Sequence, residues 1–412
     1  MNRTLHDYEA VVGPDAISQL RQAARDLRGA TVVHVNSTRE GGGVAEILSW
    51  LIPLMVDLGL DARWEVIEGH GEFFQVTKAF HNGLQGNEVL LTRRQTDVYE
   101  ETVAANADRL RAHLRDADFV FIHDPQPARL LALCPERTGK WIWRCHIDVS
   151  HPNRKVWNYI RSLVRGYDAS IFSMPQFAQR LEHPKFIIAP SIDPLSDKNV
   201  DLSAREIKAA LDRHQIDPER PILTQVSRFD RFKDPIGVIR AFTLLNGTID
   251  AQLVLAGGGA TDDPEGAAVL EEVRAAADGN RLIHILELPP DAHRTINALQ
   301  RASSIVIQKS LQEGFGLTVT EAMWKSKPVI GGNVGGIRLQ VHNHHTGFLV
   351  DTPEGTALRI RELMSRPDRM ELIGRTAHKF VRENFLLNRH LREYLTLMLG
   401  LRRGLANHLM TG

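Results

Sequence analysis

Short runs of valine, isoleucine and other apolar residues recur along this chain, and each is followed by a longer stretch with helical spacing. A strand that is apolar throughout is buried on both faces, and helices between successive strands supply both covers, so the pattern points to parallel sheets in an α/β protein. In the first half the expected strands are 31–36, 63–67, 119–123, 141–145, 169–173 and 186–189. The polar stretch PSIDPLSDKNVDLS at 190–203, with two prolines, reads as an interdomain connection. Alternation then resumes with strands expected at 222–226, 252–256, 282–286, 304–308, 328–330 and 347–350. At 412 residues the chain exceeds what one core usually organises. The expectation is therefore two Rossmann-like domains, 1–193 and 194–387, with a helical tail at 388–412 that returns to the first.

Charge and cysteine content narrow the function. Lys plus Arg and Asp plus Glu are balanced at 50 each, which gives no basis for a polyanionic partner, and nucleic acid is excluded as an expectation. The two cysteines, Cys134 and Cys145, form neither a CxxC pair nor a metal-ligand spacing, and they fit a reducing compartment. The amino terminus has no apolar core, and no stretch approaches the roughly 20 apolar residues of a membrane span. The reading is a cytoplasmic protein without membrane association. A run of His342, Asn343, His344 and His345 lacks partners at ligand spacing and reads as a solvated loop, so no protein-bound metal is expected.

Two glycine-bearing loops carry the chemistry. The first joins strand 31–36 to a helical pattern through Gly41, Gly42 and Gly43, with Pro53 expected to kink that helix. It is either a tight strand-to-helix turn or a cradle in which the free N–H groups of a helix start hold an anion. It is not GxGxxG, which weakens a dinucleotide reading. The second is Glu313-Gly-Phe-Gly-Leu-Thr-Val-Thr-Glu-Ala-Met, after strand 304–308. Its glycines put Glu313 in a loop and Glu321 on a helix starting near Leu317, so the amides around Gly316, Leu317, Thr318 and Val319 would face an anion, with a carboxylate on either side for hydroxyl groups. The segment SRFDRFKDP places Arg228 and Lys233 just beyond strand 222–226, at the carboxyl edge where open α/β sheets bind ligands. Such a pair can neutralise a diphosphate without a metal.

EGFGLTVTEAM, with seven residues between Glu313 and Glu321, resembles the E-x7-E motif of the retaining GT-B glycosyltransferases of family 4, and SRFDRFKDP resembles their diphosphate site. Within that group HVNSTREGGGVAEIL, FFQVTKAFHNGLQG, FIHDPQP, WRCHIDVSHPN, PSIDPLSDKN and DDPEG look like the trehalose glycosyltransferring synthases. Arg39-Glu40 departs from the aromatic or small residues expected before the glycines. The resemblance implies a GT-B fold, α/β with two Rossmann-like domains whose parallel sheets face a central cleft. It implies a retaining enzyme that moves glucose from a nucleoside-diphosphate-glucose to free glucose, giving α,α-trehalose reversibly.

Residue by residue, the resemblance implies that Gly42 and Gly43 close over donor phosphates and acceptor. His146 would contact donor sugar and phosphate, Glu313 the donor-sugar hydroxyls, Glu321 the ribose, and Arg228 with Lys233 the diphosphate. Lys78, His81, Asn82 and Gln85 supply polar groups for a small polyhydroxylated acceptor, or else cap a helix and stabilise a turn. No nucleophile stands out in the first domain, where Asp148 follows His146 closely, and the resemblance implies a same-face transfer instead. The nucleotide-sugar is then a co-substrate, with no tightly bound cofactor and Mg²⁺ not essential, and a homodimer stays open. Two other readings are a trehalose phosphorylase-like enzyme and a non-enzymatic sugar-binding protein with the same two domains.

Overall fold

The computed structural model describes residues 3–40, 42–258 and 264–404. Gly41, the start of the DDPEG segment and the end of the C-terminal tail lie outside them. The chain divides into two compact units, residues 1–191 with 387–412, and residues 192–386.

In the first unit a six-stranded sheet is built from β1 (Thr31–Asn36), β2 (Asp61–Val66), β3 (Phe119–His123), β4 (Lys140–Arg144), β5 (Ala169–Phe172) and β6 (Lys185–Ile187). Their order is β2-β1-β3-β4-β5-β6 and every pairing is parallel. Both faces are covered, which is why Val32, Val33, Val35, Phe119 to Ile122 and Trp141 to Trp143 are all buried. The helix Gly43–Asp57 runs unbroken through Pro53. The helix Arg93–Leu114 begins with a reciprocal Thr92 and Gln95 capping box, which satisfies amides that the helix itself leaves free. The last helix, Leu387–Arg402, packs within this unit, where His390 meets Ser191 and Arg402 meets Asp118.

The second unit repeats the design with β7 (Ile222–Val226), β8 (Gln252–Gly257), β9 (Ile283–Glu287), β10 (Ile305–Gln308), β11 (Val329–Gly332) and β12 (Gly347–Val350), ordered β12-β11-β10-β7-β8-β9 and again parallel. Alternation along β8 divides the core: Leu253 and Leu255 join Val238, Phe242, Val273 and Ile360 on one face, while Val254 and Ala256 join Leu211 and Leu299 on the other. All twelve expected strands form, with ends displaced by two residues at most. The two sheets give the α/β architecture of the GT-B glycosyltransferases. Among the described residues no helix is long and apolar enough to cross a membrane.

The chain passes from the first unit to the second within the polar segment at 190–203, between Ser191 and Ile192, and the segment is packed rather than loose. Asp193, Ser196 and Asn199 are buried, and the Asn199 amide donates to the Asp193 carbonyl at 2.9 Å and the Ser196 hydroxyl at 3.1 Å. Asn297 donates to the carbonyls of Asp197 and Val200. The segment is polar because its groups bond one another and neighbouring helices, and from Ile192 onward it is part of the second unit's packing.

Leu253→Ala should cost about 2–5 kcal/mol as a cavity in the middle of a sheet, and Thr92→Ala about 1 kcal/mol as a lost cap. Chemical denaturation would rank them, and equal losses would contradict these assignments.

Candidate functional site

In the second sheet β7 and β10 are neighbours although more than 70 residues separate them, and β10 connects onward to β11 while β7 connects to β8 on the other side. This reversal of winding opens a crevice at the strands' carboxyl ends. The turn after β7 carries Arg228, Asp230 and the short 3-10 turn Arg231–Lys233; the loop after β10 carries Lys309, Ser310 and Glu313. The Phe232 carbonyl accepts the Leu311 N–H at 2.7 Å and so joins the loops. Across this joint Lys233 Nζ lies 2.7 Å from Glu313 Oε2, both side chains mostly buried, and Ser310 Oγ donates to the same carboxylate oxygen at 3.3 Å. Lys309 pairs with Asp234 below them. Arg228 is different: it is largely exposed and reaches Asp230 at 3.5 Å. The structure thus joins Lys233 to Glu313 and leaves Arg228 at the rim.

Gly316, in the left-handed region at φ 84°, starts the helix Leu317–Trp324, and no side chain caps it. The Val319 N–H turns back to the Gly316 carbonyl, while the preceding amides have no acceptor within the helix. The Glu313 loop rests on backbone: a Cβ on Gly335, itself at φ 42°, would come within 1.7 Å of the Glu313 carbonyl oxygen, and one on Gly336 within 2.5 Å of Phe315 Cα. Gln340 donates to the Phe315 carbonyl at 2.6 Å from the same side. The sequence reading missed this glycine pair and Gln340, although the NVGGI run beyond β11 was a visible turn signal.

Glu321 is 1% exposed and neither carboxylate oxygen has a hydrogen-bond partner. Its nearest cation is Lys198 Nζ, 3.8 Å from Oε1. A buried carboxylate with empty acceptor positions is costly unless a ligand's hydroxyl groups complete it. Lys198 comes from the polar segment at 190–203, where sequence alone shows no partner for it. Lys325 holds the far end of the helix, donating to Asn199, Gln300 and the Glu321 carbonyl.

In the first unit Gly42, at φ 95°, precedes the helix Gly43–Asp57, again with no side-chain cap. Arg39 donates to the Trp64 carbonyl at 2.8 Å and lies over its indole ring, so this departure from the expected residues is pinned to β2. His146, just beyond β4, is partly exposed, and its Nε2 lies 3.0 Å from Nδ1 of buried His123. Burial, aided by the Arg144 guanidinium, holds the His146 imidazole well below the usual histidine range. Its backbone N–H donates to Asp124 Oδ1 at 2.7 Å. Asp124 has a strained left-handed backbone at φ 63°, fixed by its own N–H to the Arg144 carbonyl and by the Trp143 indole N–H on its carbonyl. Burial pushes its carboxyl up to about 7, against the lowering effect of the His146 N–H and Arg144. Asp148 accepts from Ser150 N–H and Oγ in a local turn.

Lys78, His81 and Asn82 lie on the helix Gly71–Leu84 and Gln85 is its cap. Their spacing puts all four on one face, opposite the one that buries Phe73, Val76, Phe80 and Leu84. His344 of the histidine run sits in a loop against Arg369 at 2.8 Å.

The description "Trehalose synthase, N-terminal domain" matches residues 34–179, and "Glycosyl transferases group 1" matches residues 206–380. Trehalose synthase of Thermococcus litoralis is 46% identical over 401 residues, covering 96% of this chain and 97% of that one. A trehalose phosphorylase of Pleurotus pulmonarius is 27% identical, over 86% of this chain and 55% of its own. A UDP-forming α,α-trehalose-phosphate synthase from Burkholderia xenovorans, solved with glucose-6-phosphate, superimposes with a TM-score of 0.71 at 13% identity, over 91% of this chain and 100% of that one, which is a likeness of fold.

Because the Asp124 carboxyl is raised above its ordinary 3.8, the folded state binds this proton more tightly than the unfolded chain. Its contribution to stability therefore falls as pH rises from about 4 to about 7. Asp124→Asn removes that loss, so its melting temperature relative to the parent protein should increase between pH 5 and pH 8. A difference independent of pH would mean that Asp124 is not a buried acid.

Proposed function

The chain belongs to the trehalose synthase family of glycosyltransferases, and on that premise we propose that it moves glucose, with retention, from a nucleoside-diphosphate-glucose to free glucose, forming α,α-trehalose reversibly. The observation that carries the proposal is the Lys233 and Glu313 contact beside the uncapped start of the helix Leu317–Trp324. Anion-binding and hydroxyl-binding groups adjoin there, which suits a sugar diphosphate.

In this reading the diphosphate lies against the amides of Gly316, Leu317 and Thr318 with Arg228 and Lys233 around it. Lys233 exchanges part of its contact with Glu313 for phosphate oxygens, which frees Glu313 to accept from donor-sugar hydroxyls. Glu321 takes the ribose diol, a role supported by its two unpartnered oxygens. Gly42 and Gly43 approach the phosphates, and His146 contacts donor sugar and phosphate. Lys78, His81, Asn82 and Gln85 hold the acceptor glucose. The bond between the anomeric carbon and the diphosphate oxygen breaks while the acceptor hydroxyl adds on the same face. Its proton passes to the departing phosphate oxygen, and trehalose and nucleoside diphosphate are the products. Positive charge and amide dipoles stabilise the leaving group without a resident metal or tightly bound cofactor.

The purified protein should convert glucose plus one of UDP-, ADP-, GDP- or TDP-glucose into α,α-trehalose in the presence of EDTA, identified by NMR of the anomeric protons. Consumption only when inorganic phosphate and trehalose are supplied would instead establish a phosphorylase. Lys233→Ala and Glu313→Gln should each lower kcat by roughly 10²-fold or more, the scale of losing a preorganised charge-stabilising group. Near-normal turnover in either would remove the site from this position. His81→Ala or Gln85→Ala should raise KM for glucose more than KM for the donor, and equal effects on both would count against the acceptor assignment.

A further inference from the structure

Behind His146 the first unit holds two more histidines in line. His34 Nδ1, on β1, lies 3.0 Å from His123 Nε2 at the end of β3, and His123 Nδ1 lies 3.0 Å from His146 Nε2. In both pairs the ring centroids are 5.3 Å apart and the planes differ by only 27° and 18°, so with N···N distances of 3.0 Å the rings meet nitrogen to nitrogen. His34 stacks on Phe121 and is flanked by Tyr394 from the last helix, which also brings His390 and its bond to Ser191 close by. His34 and His123 are fully buried, and the Arg144 guanidinium is buried in the same layer. We propose that His34 and His123 are positioning residues that lock His146 in a single tautomer, with its proton on Nδ1, so that His146 offers its ligand a fixed neutral N–H donor.

The argument is one of counting protons. Burial lowers the proton affinity of all three imidazoles, that of His34 to about 3, and no carboxylate pairs with His34 or His123 to reverse it, so each ring carries one N–H. Three neutral rings in a row must then all donate in the same direction. If they donated inward, His34 Nε2 would be an N–H, yet that atom is buried and has no hydrogen-bond partner. A buried N–H without an acceptor is rarer than a bare lone pair. Donation therefore runs outward: His34 Nδ1–H to His123 Nε2, then His123 Nδ1–H to His146 Nε2, leaving the His146 proton on Nδ1. Asp124 already occupies the His146 backbone N–H, so the ring supplies the remaining donor. As an N–H, Nδ1 cannot also collect the acceptor's proton, which agrees with transfer of that proton to the departing phosphate. The catalytic consequence rests on the reading of His146 as a ligand contact, whereas the tautomer does not.

The test is two-bond 1H–15N correlation spectroscopy of histidine-labelled protein at neutral pH, with His146→Ala to assign the signal. The expected spectrum has His146 protonated at Nδ1 and bare at Nε2; protonation at Nε2, or an averaged signal, would overturn the proposal. His34→Phe keeps the ring stack and removes the first donor, and it should lose the single tautomer. It should also lower kcat roughly tenfold to a hundredfold, the scale seen when the partner orienting a functional histidine is lost, with little change in KM for the nucleotide-glucose. His34→Asn returns an N–H donor near the Nδ1 position and should restore both signals toward the parent. Equal losses in the two variants with an unchanged His146 tautomer would reduce His34 to a packing residue. If His34→Phe does not fold, the spectrum of the parent protein decides alone. Full activity of His146→Ala alongside the expected tautomer would remove His146 from the reaction and leave the relay standing.

Discussion

Parallel strand pairing is the constraint on which the rest of this protein depends. Each strand of a parallel sheet delivers its chain to the same edge, so residues remote in sequence arrive together there without any interaction between their own loops having to gather them. Lys233 and Glu313 are 80 residues apart, yet the pairing of β7 with β10 brings their loops side by side. The first sheet does the same for His34, His123 and His146, which come from β1, β3 and the end of β4. Once the hydrogen-bond ladders form, the positions of the functional groups follow to within a side chain's reach.

The cost of this arrangement is polar material where the core would otherwise be apolar. Arg144 is fully buried with two guanidinium nitrogens unpartnered, and Glu321 has two bare oxygens. Such groups destabilise the protein unless something completes them. The large apolar cores on both faces of each sheet can carry that load, because each strand contributes residues to both. Arg144 ends β4 and Glu321 lies on the helix that follows β10, whereas the buried polar groups of 193–199 and of Lys325 are well bonded.

The alternation of apolar runs and helical spacing was sufficient to find all twelve strands, because a strand covered on both faces cannot hide its apolar character. Glu313, Glu321, Arg228 and Lys233 were legible for a related reason: each lies within a few residues of a strand's end or a helix start, with glycines marking the turn after β10 and Asp-Pro the turn after β7. What escaped were groups whose role depends on pairing. Nothing local distinguishes His34 on β1 from an ordinary core residue, and only the β1 and β3 register puts it against His123. Lys198 was not singled out, since the bonds that bury its stretch are made to a helix about 100 residues away. Asp124 was missed because a strained backbone at a residue before proline leaves no mark in composition. The exposed Arg228 shows the converse, a residue easily named from its motif whose partners in the structure are few.

The glycine pair at 335 and 336 has a further consequence. Behind the Glu313 loop main chain meets main chain at Gly335 and Gly336, and the Gln340 amide adds a side-chain bond to the Phe315 carbonyl. Its path is therefore cast by a backbone mould, to which Lys233, Ser310 and Gln340 add side-chain bonds. Substitution at the exposed front of the loop, as at Leu311, would leave the track on its course. Variation at the mould would shift every position of the track at once.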